Sequence, residues 1–582
     1  MEDSPITAEK TIQPQILKDR SPIERMSLNS CEIESSRVFE VRQILSDHPQ
    51  CEAIVMLGIG DGQKIVEIAK QTEKRIILYE PTLELLTNVM ALKAYQEIQS
   101  KIEICTKLIP DAMPKNFIVL EEESSIRLAP DVFEVVRLRL SFSAIKSVIA
   151  IQNYGTSGTL FMHSLLDNHP NLLALPGLNN RSFYSFWAKN EDTITDLLDL
   201  IKAFISENPG LFFPDMASKT YGLHQLGPEM NETVSVDPEE FTKAIIYILQ
   251  GESELQRHDF FKAIYVAYAF CLKRTISYPL HIVFPIHSNL LAAAQCLHID
   301  IPETKFLYMI REPVQNIGSA IKHIISNNLP VCPLECSISS VLADLAKHWG
   351  IESERLTYGD RPYLRDVPTR AIKLEDLHET PEKVMQAICR FLGIPWSDCL
   401  LESTFDGKKW WNRPESTRVS GFGGGITQQK HKQYLTGFDK IRLLCFAFPK
   451  LKTWDYPRPW YIRFIPFRIL IAFLSLLPFK MEVTYFIERY RKAMRGYGQE
   501  AVQLLNFTVK CLNIPRVITL KLYEKTIQKK MVTFLNVLSA FVYVPVFLIR
   551  DYVMIRWYLV KSLFYDYNTK HDKVALMVYD HE

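Results

Sequence analysis

The sequence lacks an excess of charge of either sign, a close set of cysteines and a leader-like N-terminus. Among its 582 residues, 67 are Lys or Arg and 66 are Asp or Glu. The 11 cysteines are scattered, and the close pair Cys332 and Cys336 is too isolated to indicate a structural zinc site. The first residues, MEDSPITAEKTIQ, are polar and acidic rather than basic and then apolar. We therefore expect reduced thiols, a cytoplasmic location and no secretory signal peptide.

The sequence does contain two strand-to-helix corners, of which the first follows the apolar residues 148–151. Its loop and first helical residue are Gly155, Thr156, Ser157, Gly158, Thr159 and Leu160. The glycines allow a tight turn and close approach of a ligand, and the unpaired N–H groups at a helix start suit a phosphate. The Gly-Lys-Ser/Thr ending of a Walker loop is missing, which disfavours ATP or GTP hydrolysis.

The second corner follows the apolar residues 306–310, which end at Arg311-Glu312-Pro313. Arg311 thus lies at the C-terminal end of a predicted strand, and Ser319 lies about two helical turns further on. An arginine there offers a planar fork of donors to an oxyanion. Because ligands of open parallel sheets bind outside the carboxyl ends of the strands, we expect both corners to face one crevice.

These corners and their order resemble the PAPS-dependent sulfotransferase superfamily, whose cofactor is 3'-phosphoadenosine 5'-phosphosulfate (PAPS). Loop 155–159 resembles the family's 5'-phosphosulfate loop, and His169-Pro170 follows it as in many members. Arg311 with Ser319 resembles the 3'-phosphate signature. The resemblance covers about residues 145–435 and implies a P-loop-like parallel sheet flanked by helices, with no metal.

Further motifs support the resemblance. Residues 284–287 (FPIH) are similar to a Lys-Thr-Pro-x-His segment of carbohydrate-type members, which makes His287 the first candidate for the catalytic base. Residues 373–377 and 391–395 are similar to the family's Tyr-Glu-Asp-Leu and Phe-Leu-Gly-x-Pro runs, and we interpret Glu375 and Asp376 as a structural strand end. Residues 418–425 loosely resemble the glycine-containing loop that closes over the 3'-phosphate, which adds Arg418 to the cofactor site; a flexible surface linker is the alternative.

Two positions depart from the family pattern. Thr156 stands where the family's loop carries Arg or Lys, and Val283 stands where the Lys-Thr-Pro-x-His segment would have its lysine. A hydroxyl can donate a hydrogen bond but cannot neutralise charge. Loss of one preorganised donor to a transition-state charge lowers a rate by about 100- to 1000-fold. The departures therefore weaken the prediction of catalysis, in which Thr156 and His287 take part, more than that of binding.

A separate Rossmann-like unit is predicted at 36–140, after a disordered segment 1–35. The predicted strand 53–57 is followed by a turn with Gly58 and Gly60, a helix, a second strand and then Glu80. Glu80 is placed to accept hydrogen bonds from ribose hydroxyls. The unit resembles S-adenosylmethionine-dependent methyltransferases and the motility-accessory-factor glycosyltransferases, which implies S-adenosylmethionine at Gly58, Gly60 and Glu80. The alternative is a degenerate structural or interaction domain.

The region 455–582 is predicted to be helical, basic and hydrophobic. Residues 458–582 contain 19 Lys or Arg and 9 Asp or Glu, and 460–479 and 531–549 are apolar stretches. Three interpretations stay open: a helical cap on the enzyme core, a peripheral contact with the inner face of a membrane, and a transmembrane helix at 531–549. We expect no nucleic-acid partner.

Together these observations predict an α/β protein with the sulfotransferase fold at 145–435, an N-terminal Rossmann-like α/β unit and a helical C-terminal region. The expected function is transfer of a sulfuryl group from PAPS to an acceptor hydroxyl on a carbohydrate or glycolipid. One alternative is a non-catalytic nucleotide-binding or scaffold protein that kept the fold. Another is a methyltransferase or glycosyltransferase led by the N-terminal unit.

Overall fold

The computed structural model describes residues 51–106, 117–153, 156–191, 196–218, 221–250, 255–286, 291–326, 367–411, 421–423, 434–474, 479–481 and 575–577, with residues 43, 45, 46, 49, 477, 553, 557 and 560. The chain divides into two compact units, Met1–Phe133 and Glu134–Glu582. The segments 1–35 and 531–549 lie outside the described residues. The predicted boundaries 36–140, 145–435 and 455–582 stay predictions.

The first unit contains a parallel β-sheet. Its strands are β1 Ala53–Leu57, β2 Arg75–Tyr79, β3 Ile102–Cys105 and β4 Phe117–Glu121. They pair in the order β3-β2-β1-β4, which is that of the first four strands of a doubly wound sheet. All five side chains of β1 are buried, as expected of a central parallel strand that is covered on both faces.

Short helices cover this sheet. They are α1 Gln63–Gln71, α2 Leu83–Met90, α3 Lys93–Gln96 and α4 Glu123–Leu128, with a 3₁₀ turn at Gln99–Lys101. The buried residues of α1 include Ile65 and Ile68, which share a core cluster with Ile54 and Met56 of β1. The helix α5, Pro130–Ser143, contains the point at which the two units divide.

The second unit contains a larger parallel sheet and a short antiparallel ladder. Its strands are β5 Ile145–Asn153, β6 Leu172–Ala174, β7 Leu280–Ile286, β8 Lys305–Ile310, β9 Thr369–Lys373, β10 Thr404–Phe405, β11 Lys408–Lys409 and β12 Ala575–Leu576. The large sheet has the order β12-β9-β8-β5-β7-β6, and each neighbouring pair is parallel. The strand that leads to the first corner, β5, therefore lies between β7 and β8.

Helices of the second unit pack on this sheet. They are α6 Thr159–Leu166, α7 Asn180–Asn190, α8 Leu197–Glu207, α9 Pro238–Leu249, α10 Arg257–Cys271, α11 Leu291–Asp300, α12 Pro313–Ser326, α13 Leu374–Glu379, α14 Pro381–Leu392, α15 Gly437–Thr453 and α16 Ile465–Leu474. One core cluster joins Ile149 and Ile151 of β5 to Met162 of α6 and Ile388 of α14.

The predicted fold class is confirmed: parallel sheets are flanked by helices, and each predicted strand of the two corners is present. Single turns of 3₁₀ helix lie at Pro209–Leu211, Pro214–Met216, Asp398–Leu401 and Trp460–Arg463 of the second unit. In the described parts of the chain, no helix has the length and apolarity that a membrane crossing needs.

Candidate phosphate-binding site

The first corner is the turn between β5 and α6. Gly158 forms the N-cap of α6 with a φ of 93°, a left-handed conformation that favours glycine. A Cβ built on Gly158 would lie 2.5 Å from Leu374 Cδ1, so the position also lacks room for a side chain. The predicted strand, glycine turn and helix are thus confirmed, while Tyr154 and Gly155 lie outside the described residues.

Polar groups of this turn are buried at the start of α6. Ser157 and Thr159 are buried, and Leu160 packs against the core of the second unit. Within the described residues, the Thr159 hydroxyl has no hydrogen-bond partner, and α6 has no side-chain cap. A buried hydroxyl without a partner costs about 1–3 kcal/mol, and a helix N-terminus attracts anions. The Thr159 hydroxyl at the start of α6 is therefore a buried donor that could meet an anion.

The second corner lies at the end of β8 and meets the first. Arg311 is 4% exposed and directly follows β8, and Ser319 is buried on α12. Arg311 Nη1 donates to the backbone oxygen of Thr156 at 3.4 Å, and Thr156 Oγ1 donates to the backbone oxygen of Asn316 at 3.1 Å. Both predicted corners therefore face the same end of the sheet.

Thr156 itself has a φ of 31°, which is unusual for a residue with a side chain. Its hydroxyl is used to tie the first loop to α12. The position that carries a cation in the resembling family is thus occupied here by a residue that fastens the two corners together.

A half-buried carboxylate, that of Glu375, holds the second corner in place. Glu375 Oε1 accepts from the Glu312 backbone N–H at 2.9 Å, and Glu375 Oε2 accepts from the Tyr456 hydroxyl at 3.0 Å. Burial, together with the Glu375 carboxylate, raises the pKa of Tyr456 well above its usual value, so the hydroxyl keeps its proton and donates. Glu375 and Asp376 open helix α13 instead of ending a strand, because β9 already ends at Lys373.

Glu312 is also half-buried at this corner. Its Oε2 accepts from the Gln315 backbone N–H at 2.7 Å. Burial raises the pKa of Glu312, and the nearby Glu375 carboxylate adds to the rise, whereas backbone donors and Arg311 oppose it.

A third segment closes on the same corner. Phe161 of α6 and His378 of α13 stack with ring centroids 4.8 Å apart, and Phe422 meets Phe161 edge to face at 5.3 Å. The Gly423 backbone N–H donates to His378 Nδ1 at 3.3 Å. Residues 421–423 of the predicted loop 418–425 are described, and Phe422 and Gly423 contact α6 and α13; Arg418 lies outside the described residues.

His378 is uncharged at neutral pH. Burial lowers its pKa to about 4, and the positive charge of Arg311 contributes to the shift. The interaction also shows that the imidazole lies within electrostatic reach of the guanidinium.

His378 and Tyr456 are the two residues of this site that the sequence interpretation missed. His378 directly follows the predicted motif 373–377, so its position next to that motif was a usable signal. Tyr456 lies 81 residues from its partner Glu375, and no local pattern indicates such a contact.

The predicted catalytic base, His287, directly follows strand β7. His287 lies outside the described residues. Val283 is a fully buried core residue, so a lysine there would be forced into the core. His281, on the same strand, pairs with the Ser147 hydroxyl at 2.8 Å, and burial lowers its pKa to about 4.

The histidines after the first loop are structural. His163 is buried on α6, as its apolar neighbours predict, and its ring packs edge to face on Phe405. His169 Nε2 lies 3.0 Å from the backbone oxygen of Pro395, and His169 Nδ1 accepts from the Asn171 backbone N–H at 3.2 Å. The His-Pro pair and the Phe-Leu-Gly-Ile-Pro motif are therefore two halves of one contact.

The glycine turn of the N-terminal unit is closed by its own side chains. Glu80 is fully buried, and its carboxylate accepts from the backbone N–H groups of Ile59 and Thr82, both at 2.9 Å. Ser125 Oγ accepts from the N–H groups of Ile59 and Gly60 at 3.1 and 2.9 Å. The predicted role of Glu80 toward a ribose is wrong for this structure, because both carboxylate oxygens are already engaged in the turn.

Close packing has the same effect in that turn. Gly58 and Gly60 have φ values of 91° and 56°. A Cβ on Gly58 would lie 2.7 Å from Ser125 Cβ, and one on Gly60 would lie 2.5 Å from Glu122 Cγ. These glycines allow protein to approach the turn, and the structure gives no support to S-adenosylmethionine at Gly58, Gly60 and Glu80.

Residues 155–398 match a family model described as "Sulfotransferase family". No curated protein matches the chain.

Among solved structures, the sulfotransferase domain of the Synechococcus PCC 7002 olefin synthase is 15% identical, with 54% of this chain and 96% of that one covered and a TM-score of 0.30. The sulfotransferase domain of the curacin biosynthetic pathway is 15% identical, with 54% and 99% covered and the same TM-score. Sulfotransferase STF9 of Mycobacterium avium is 14% identical, with 48% and 69% covered and a TM-score of 0.25. The similarity to known proteins therefore lies in residues 155–398, which match the sulfotransferase family model.

Proposed function

We propose that the sulfotransferase-family segment binds PAPS and transfers its sulfuryl group to an acceptor hydroxyl on a carbohydrate or glycolipid. The observation that carries the proposal is the contact between Arg311 Nη1 and the Thr156 oxygen, which joins two anion-binding corners at one sheet end. A nucleotide with phosphate groups at two ends requires two such corners.

The residues present fit this cofactor. The Thr159 hydroxyl and the first N–H groups of α6 are donors that the described protein does not use, and they suit the 5'-phosphosulfate. Arg311 and Ser319 suit the 3'-phosphate, since a guanidinium binds phosphate oxygens through a planar fork. When bound, PAPS supplies the activated sulfuryl group.

The acceptor and the base are proposed from sequence. Residues 284–287 are similar to a segment of carbohydrate-type members, which supports a sugar hydroxyl as acceptor. His287 directly follows β7 in sequence, and a histidine can accept a proton near neutral pH. Its role is to take the proton of the acceptor hydroxyl as that oxygen attacks.

A second candidate function is nucleotide binding without catalysis. The observation that favours it is Thr156, which provides no positive charge and whose hydroxyl donates to the Asn316 backbone oxygen. A protein of this kind would keep the Arg311 corner and lose sulfuryl transfer.

The cofactor proposal is tested by calorimetric titration with 3',5'-ADP. We expect binding by the wild type, a loss of about 100-fold for Arg311→Ala, and a smaller loss for Arg311→Lys, which keeps the charge but not the fork. Arg390→Ala is the control, because Arg390 is exposed on α14. Absence of wild-type binding at millimolar 3',5'-ADP, or equal affinities for wild type and Arg311→Ala, would contradict the proposal.

Transfer of radiolabelled sulfate from PAPS to extracted glycans and lipids then separates the two candidates. Label that depends on Arg311 supports the enzyme, and Thr156→Lys should increase the rate by restoring the family's cation. Nucleotide binding without labelled product, both for the wild type and for Thr156→Lys, supports the non-catalytic candidate.

A further inference from the structure

A row of large apolar side chains is exposed near the C-terminal end of the main described region. We name this row the Trp460 surface; its members are Trp460, Phe464, Ile465, Ile469, Leu470, Phe473 and Leu477. Trp460 is 72% exposed and Phe473 is 70% exposed. All seven lie within 18 consecutive residues that include a 3₁₀ turn and helix α16. Single exposed apolar residues are ordinary, but a contiguous set of this size indicates an interaction surface.

This face is not the one with which the segment packs on the protein. Ile462 and Ile471 point inward and are almost fully buried. The segment is also held by Arg442 of α15, which is 1% exposed and donates to the backbone oxygens of Leu474 and Leu477 at 3.2 and 2.6 Å. The buried side is therefore complete, and the Trp460 surface is a second apolar face on an anchored segment.

The charged residues of the stretch that carries the surface, 456–481, have one sign. Residues 456–481 contain four Lys or Arg and no Asp or Glu. Arg463 is exposed at the start of the surface, and Lys480 is exposed just beyond its end. A partner that covers this face therefore needs an apolar interior and an anionic rim.

We infer that the Trp460 surface docks on an anionic lipid bilayer, with its side chains in the headgroup region and its basic residues on the lipid phosphates. Trp and Phe with flanking Lys or Arg are typical of segments that lie in the membrane interface. Helix α16 has 10 residues, about half of what a membrane crossing needs, so the segment would lie along the surface. Anionic lipids also attract basic residues that lie near the membrane surface. This inference goes beyond the proposed function and does not depend on it.

Co-sedimentation of the full chain with vesicles tests the inference. We expect binding to phosphatidylcholine vesicles that contain about 30% phosphatidylserine, and weaker binding to phosphatidylcholine alone. The triple variant Trp460→Ser, Phe464→Ser, Phe473→Ser should bind at least about tenfold more weakly, because three apolar side chains no longer enter the interface. Arg463→Gln with Lys480→Gln should reduce binding to the anionic vesicles only.

The control is the double variant Phe213→Ser, Ile299→Ser, which removes two apolar side chains of the same unit that are 46% and 62% exposed. It should bind vesicles as the wild type does. Thermal unfolding and 3',5'-ADP affinity without vesicles, compared between wild type and triple variant, report separately on folding and on the proposed cofactor site.

Two results would overturn the inference. One is that the wild type does not bind vesicles of either composition. The other is that the triple variant binds as well as the wild type, which would mean that the surface is covered by another part of the chain or by a second copy.

Discussion

The two glycine turns of this protein follow the same local plan and differ in what satisfies their backbone groups. Both join a buried parallel strand to a helix through glycines with positive φ. In the N-terminal unit, Glu80 and Ser125 take up the N–H groups of the turn. In the second unit, the Thr159 hydroxyl at the start of α6 is buried, and among the described residues it has no hydrogen-bond partner. Whether protein side chains accept from the polar groups of the turn, more than the glycine pattern, therefore distinguishes a turn that is closed by protein from one that is open to a ligand.

The largest effect that sharpens this comparison is expected for glycine replacement. Gly158→Ala should destabilise its unit by about 3 kcal/mol, through backbone strain and the contact with Leu374, and should abolish 3',5'-ADP binding. Gly60→Ala, which meets Glu122, should be similarly destabilising and leave the affinity unchanged. The control Gly393→Ala has a φ of 78° and open space around it, so about 1 kcal/mol is expected. Urea unfolding and calorimetry measure both quantities; a loss of affinity in Gly60→Ala would break the comparison.

A slightly smaller effect is expected for the carboxylate that closes the N-terminal turn. Glu80→Gln replaces one of two buried acceptor oxygens by a donor that faces a backbone N–H, which should destabilise that unit by about 2–3 kcal/mol. Nucleotide affinity should not change. Glu84→Gln, on the exposed side of α2, is the matched control. The measurement is amide hydrogen exchange in β1 and β2, and unchanged exchange in Glu80→Gln would show that the turn does not need its carboxylate.

Acidification should act on the second turn through His378. Its pKa is lowered to about 4 in the folded protein, whereas an unfolded histidine titrates near 6.5. Between about pH 6.5 and pH 4, His378 is protonated in the unfolded chain and neutral in the folded chain. The free energy of unfolding therefore decreases as the pH is lowered through this range. The contribution at pH 5 is about 2 kcal/mol relative to pH 7.

His378→Gln should remove this part of the pH dependence, as measured by hydrogen exchange of α6 at pH 7 and pH 5. His258→Gln, at a more exposed histidine, is the control. Equal pH dependence in wild type and His378→Gln would show that other groups dominate the acid response.

The smallest effects come from the two hydroxyls, and they should have opposite patterns. Thr159→Val removes a buried hydroxyl that has no described partner, so stability should be kept or increased while 3',5'-ADP affinity falls about tenfold. Ser125→Ala removes the acceptor of two N–H groups, so stability should fall by about 1 kcal/mol with no change in affinity. The same effect in both variants would erase the distinction between the turns.

Much of the fold could be predicted from the sequence, because the strands of both corners are short apolar runs that end at punctuating residues. The run 306–310 became Lys305–Ile310, and Arg311 lies at its end as expected. Because ligands of open parallel sheets bind outside the carboxyl ends of the strands, both corners are predicted at one sheet end, and the contact of Arg311 with Thr156 agrees with this prediction.

The errors concern what side chains contact across the chain. Glu80 follows its strand as a ribose-binding acid would, and only the folded structure shows that Ile59 and Thr82 occupy it. Glu375 is predicted at a strand end but lies in the first turn of helix α13. Its carboxylate accepts from the Glu312 backbone N–H and the Tyr456 hydroxyl. These partners are 63 and 81 residues away, so no local periodicity could have indicated them.

The contacts of Glu375 extend beyond the segment that matches the family model. The family match stops at residue 398, yet the carboxylate that holds the Arg311 corner is itself held by Tyr456, 58 positions beyond that limit. A shortened protein that retains only the matched segment would leave the Glu375 carboxylate without its hydrogen bond from Tyr456. The segment that matches the family and the segment that folds as one body therefore have different C-terminal ends. A fusion of this domain to other proteins would have to include the residues around Tyr456.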